Sequence, residues 1–72
     1  MIEKWRKDRD LAGARLIEMW SNGNYDEPLY LVYVDLGNLD YTYHIITKSG
    51  FNSPHWHDAK FVMSIGEKQI RS

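Results

Sequence analysis

The stretch from Leu29 to Lys48, LYLVYVDLGNLDYTYHIITK, constrains this chain most, because it reads as a β-hairpin that is largely apolar on both faces. A chain of 72 residues has little else with which to cover two such faces. Strand alternation sends Tyr30, Val32, Val34 and Leu36 to one side and Leu31, Tyr33 and Asp35 to the other. With Asn38 and Leu39 at the centre of the turn, Leu36 faces Tyr41, Val34 faces Tyr43, Val32 faces Ile45 and Tyr30 faces Thr47, each an aromatic or β-branched match. The opposite face then pairs Asp35 with Thr42, Tyr33 with His44 and Leu31 with Ile46. Moving the turn to Gly37 and Asn38 would oppose Asp35 and Asp40, two like charges, so the first register is the expected one.

The flanks supply a helix and a third strand. Over residues 2–21, Ile2, Trp5, Ala12, Leu16, Met19 and Trp20 gather in one helical stripe, with Glu3, Lys7, Asp10, Arg15 and Glu18 outside it. Gly13 is the weak point of that helix, Arg9 lies inside the stripe and must extend its head to solvent, and Gly23 is placed to stop the helix in a left-handed conformation. A strand over Ala14 to Trp20 is the competing reading, but it would put Glu18 on the face of Leu16 and Trp20. Beyond the hairpin, Ser49 to Pro54 is dense in turn formers, and from Lys60 the alternation of Phe61, Met63 and Ile65 predicts a strand. Ser53-Pro54 also has the form of a helix start, though the apolar residues after it share no helical face, and Gly66 to Ser72 reads as a polar tail.

Charge is uneven along the chain. Residues 1–15 carry five basic and three acidic groups, residues 16–58 one basic and six acidic, and residues 59–72 three basic and one acidic. The acidic middle contains the hairpin, which counts against stacking nucleic-acid bases on Tyr30, Tyr33, Tyr41 and Tyr43; a nucleic-acid role would rest on the basic N-terminal helix instead. There is no cysteine for a disulfide or a thiolate metal site, and no apolar run long enough for a membrane span. The charged N-terminus is unlike a signal peptide, and a cytoplasmic setting is expected.

Candidate chemistry is sparse. His55-Trp56-His57-Asp58 holds metal-ligand residue types, and His55 and His57 would share a face if extended, yet no third ligand follows by spacing. The simpler expectation turns Trp56 inward and leaves both histidines in water. His44, set between Tyr33 and Ile46, has the residue type of a general base, but that setting suits an ordinary half-buried residue. No serine sits in a nucleophile elbow, and the five glycines are scattered singly rather than forming a phosphate loop. Asp26 and Glu27 are expected to solvate the loop before Pro28, while Asp35 and Asp40 flank the turn and bond its backbone.

These readings converge on a single α+β domain over residues 1–72, with an N-terminal helix packed on a three-stranded antiparallel sheet. The helix is expected on the face of Val32, Val34, Tyr43 and Ile45. The other face, with Leu29, Leu31, Tyr33, His44 and Ile46, would stay open as an apolar patch for a partner protein or a second copy of the chain. A non-enzymatic inhibitor or adaptor without cofactor or metal is the function expected. On that assignment, Leu31→Glu or Ile46→Lys would abolish association at little cost to the monomer.

Overall fold

The computed structural model describes residues 2–66. Helix α1 (Ile2–Asn22) packs on a three-stranded antiparallel sheet of β1 (Leu29–Gly37), β2 (Asp40–Thr47) and β3 (Lys60–Ile65) in the order β2-β1-β3. The α+β architecture, the unbroken helix and the third strand are as predicted. Between β2 and β3 lie a single helical turn, α2 (Lys48–Phe51), and a 3-10 turn over Pro54–Trp56. Residues 67–72 of the expected tail lie outside the described residues.

The helix ends where expected but for a different reason. The Gly23 N–H donates to the Met19 carbonyl at 2.9 Å, while the positive-φ glycines of the chain are Gly37 and Gly66. A Cβ on Gly23 would run into the ring of Tyr25, which stacks on Trp20 at 6.0 Å with planes 12° apart. That Cβ would also lie 2.9 Å from the Met19 carbonyl oxygen, a backbone atom that cannot yield as the ring can, and this close approach rather than a left-handed stop favours glycine there.

The hairpin turn is centred on Asn38 and Leu39, whose φ values of 54° and 63° belong to the turn type that matches strand twist. Gly37 pairs with Asp40, as the sequence predicts. Below it, however, Leu36 is extruded as a β-bulge, with Gly37 at φ 84° and its N–H bound by the Asp35 carboxylate at 2.8 Å. One residue is thereby lost from the pairing, and every pair down the hairpin differs from the expected one. Leu31 opposes Ile45, Tyr33 opposes Tyr43, Val32 opposes His44 and Tyr30 opposes Ile46.

That slip settles which face the helix takes. Leu16 of α1 is fully buried against Leu29 and Leu31, with Ala12, Met19, Trp20, Tyr43, Ile45, Val62 and Ile65 packed around them. Full burial of each such leucine contributes about 1.5–3 kcal/mol, so this layer carries much of the stability of so small a domain. The opposite face is not bare. Tyr30 contacts both Phe51 and Phe61, edge to face at 5.3 and 5.0 Å, Trp56 lies against His44 at 5.1 Å, and Val32 is fully buried. The segment between β2 and β3 thus folds back as a flap. Its helical turn is capped by the Thr47 hydroxyl, which accepts from Gly50 N–H at 3.1 Å. The Glu27 carboxylate accepts from the Ser49 N–H and hydroxyl at 2.8 and 3.1 Å, a structural bond beyond the solvating role expected of it.

On its other flank, α1 meets β3 at Gly13, where a Cβ would lie 3.3 Å from the Met63 sulfur. Met63 is flexible and 38% exposed, so it can yield by the few tenths of an ångström required. Gly13→Ala is therefore expected to stabilise the domain by about 0.5–1 kcal/mol through helix propensity, read as a raised denaturation midpoint with unchanged slope. A lowered midpoint would show that the α1–β3 contact is rigid.

Candidate functional site

The five residues predicted to share an open face are divided by the sheet. Leu29 and Leu31 are 2% and 0% exposed beneath α1, and Tyr33 opposes Tyr43 on the same side, while His44 and Ile46 belong to the face that carries Trp56 and the flap. The patch as drawn does not exist. Its error is the bulge at Leu36, which exchanges the partners of β1 and β2 between faces.

Large apolar side chains stay accessible at Leu11, Ile17, Tyr25, Leu36, Leu39, Phe61 and Met63, and two grooves between α1 and the sheet include some of them. The first is a groove of about 410 Å³ between the start of α1 and the hairpin tip, lined by Lys4, Trp5, Asp8, Leu39, Tyr41 and Tyr43, together with Asp40. Trp5 sits edge to face with Tyr41 at 6.0 Å, and Tyr41 with Tyr33 at 5.5 Å. Arg9, expected to reach for solvent, instead lies over the Trp5 ring at 5.5 Å. Leu39 forms the lip, 70% exposed and in the left-handed region, a conformation that costs a bulky residue on the order of 1 kcal/mol.

The electrostatics of this groove are set by Lys4, Asp8, Asp40 and Tyr43. Lys4 donates to Asp8 at 3.0 Å, and that hydrogen bond and charge, aided by Asp40, hold its ammonium pKa above the usual lysine value. The Asp40 carboxylate accepts from the Tyr41 N–H at 3.0 Å, the local backbone bond expected of it. Burial is the main cause of a raised Tyr43 phenol pKa, so that side chain lines the groove as a neutral donor. The Trp5 indole N–H is buried and has no acceptor among the described residues, an uncommon state for a buried donor.

The second surface is a shallow groove of about 550 Å³ where the outer flank of α1 meets β3, lined by Gly13, Ala14, Ile17, Val62 and Met63 and bounded by Arg9 and Asp10. Ile17 is 52% exposed, and β3 is an edge strand. A second bulge, at Val62, bends that edge.

At the histidine cluster, Ser53 caps the 3-10 turn and Trp56 turns toward His44, leaving His55 and His57 exposed. His57 contacts the Pro54 carbonyl through Nδ1 at 2.9 Å and Asp58 through Nε2 at 3.1 Å. Among the described residues no three histidine or acidic side chains are placed to hold a metal ion together, and no helix is long and apolar enough to cross a membrane. Neither groove was legible beforehand, since each joins α1 to a strand far along the chain; the spacing of Lys4 and Asp8 was its only local trace. No protein-family model, curated protein or solved structure matches this chain.

Proposed function

We propose that this chain is a cytoplasmic protein-interaction module, working as an adaptor or inhibitor by binding a partner protein or a second copy of itself along the strip where α1 meets β3. The supporting observation is the coincidence of Ile17 and Met63, both more than a third exposed, on one groove beside an edge strand. Edge strands offer unpaired backbone groups, and natural proteins usually guard them with charge or proline. Here the strand KFVMSI carries one charge, Lys60, at its start. The bulge at Val62 limits any continuous ladder, so side-chain contact dominates the association. Arg9 and Asp10 at the groove's end sit 3.5 Å apart and leave it near neutral, in keeping with an apolar occupant.

Two substitutions test this reading: Ile17→Lys, at a position 52% exposed where the monomer should lose no more than about 0.5 kcal/mol, and Met63→Lys, at a position that also packs beside Gly13, which should cost about 1 kcal/mol while the chain still folds. Light scattering on a concentration series is expected to show mass above that of one chain for the wild type and a single-chain mass for each variant. Where the wild type stays monomeric, the comparison moves to co-purification of its partner, which both variants should lose. A monomeric wild type whose co-purifying proteins are unchanged in both variants would remove this surface as the functional one.

A further inference from the structure

The groove at the hairpin tip has the chemistry of a cation site. Its walls are the rings of Trp5, Tyr41 and Tyr43, whose faces carry negative electrostatic potential. Two carboxylates, Asp8 and Asp40, stand against one ammonium, Lys4. Lys4 is engaged with Asp8 at 3.0 Å and Arg9, over the Trp5 ring, with Asp10 at 3.5 Å, which leaves Asp40 as a carboxylate without an ion-pair partner among the described residues. Trp5 already serves as a cation platform in this molecule, for the Arg9 guanidinium at 5.5 Å. Phosphate or another polyanion would meet that carboxylate excess and is disfavoured. Leu39, 70% exposed at the lip, offers apolar surface of the kind that the stem of a long basic side chain covers.

We propose that this groove receives an arginine or lysine side chain presented by a partner polypeptide, with the charged head over Trp5 and Tyr41 and near the Asp40 carboxylate, and the aliphatic stem along Leu39. The groove lies at the β2 side of the tip, apart from the α1–β3 strip. The inference takes from the preceding reading only that the occupant is polypeptide, and it does not depend on which surface carries the main interface.

The test is a titration of the wild-type chain with the capped peptide Ala-Leu-Arg-Leu-Ala, followed on the three tryptophan indole N–H resonances, with Trp5 assigned from Trp5→Phe. A saturable shift of the Trp5 resonance is expected, with Trp20 and Trp56 unmoved. The same peptide with citrulline for arginine should bind at least tenfold more weakly, as should the arginine peptide to Asp40→Asn, which keeps an oxygen for the Tyr41 N–H. A well-dispersed amide spectrum for Asp40→Asn establishes that its fold is intact. Ile17→Lys should leave the titration unchanged, which separates this result from failure of the α1–β3 interface. Absence of a saturable shift at millimolar peptide, equal binding of the citrulline peptide, or preference for a glutamate peptide would each overturn the proposal. So would equal binding of capped single arginine, which would make the groove a small-molecule cation site.

Discussion

Leu31→Glu unfolds this domain. Leu31 is fully buried at the centre of the sheet beneath Leu16, and loss of its side chain alone costs about 2–5 kcal/mol. An unpartnered carboxylate in that position adds a desolvation penalty of several kcal/mol. Domains of this size hold about 3–5 kcal/mol in total. The variant should show no cooperative thermal transition and a collapsed amide spectrum, whereas the sequence alone placed Leu31 on an open face and predicted a folded, non-associating protein. A Leu31→Glu chain that still melts cooperatively would restore that open face and reject the helix placement described above.

The second large effect is expected at Gly66. Its φ of 111° is a conformation that L side chains rarely adopt, and a Cβ there would lie 2.8 Å from the Trp20 ring and 3.2 Å from the Pro28 Cα. Strain and overpacking together put the cost of Gly66→Ala at about 2–4 kcal/mol. The two contributions separate in a double-mutant cycle with Trp20→Phe, whose shorter ring lacks the atom that collides. Partial rescue by Trp20→Phe is expected, because the smaller ring frees space but leaves the backbone strain. Full stability of Gly66→Ala, measured by denaturant unfolding, would mean that α1 does not seat against the end of β3 as described.

Much of the architecture was readable because it rests on local chemistry. The helical stripe from Trp5 to Trp20, the alternation from Lys60, the turn at Asn38-Leu39 and the backbone bonds of Asp35 and Asp40 each depend on a few neighbouring residues. What failed was the assignment of faces. The decisive feature, Leu36 extruded beside a left-handed Gly37, is worth little energy by itself, and nothing in LYLVYVDLGNLDY distinguishes a bulged from a regular ladder by pattern. The flap was missed for another reason. Phe51 stands among turn formers, and its role appears only once Tyr30 and Phe61 are brought beside it across the sheet. The tip groove likewise needs Trp5 and Tyr41, distant in sequence, to meet.

The bulge also gives the hairpin a parity. In antiparallel pairing, inside and outside are decided by whether the count of residues between two partners is odd or even, and the bulge at Leu36 changes that count by one. Removing Leu36 takes out the extra residue itself, so Asp35 and Gly37 become consecutive opposite Tyr41 and Asp40 and the pairs below, Leu31 with Ile45 and Tyr33 with Tyr43, are kept; drawing Leu36 into the ladder instead would set Thr42, His44 and Ile46 against Leu16 in place of Tyr43 and Ile45. Which side chains meet α1 is thus decided by one extra residue at an exposed tip, where none of the residues is buried.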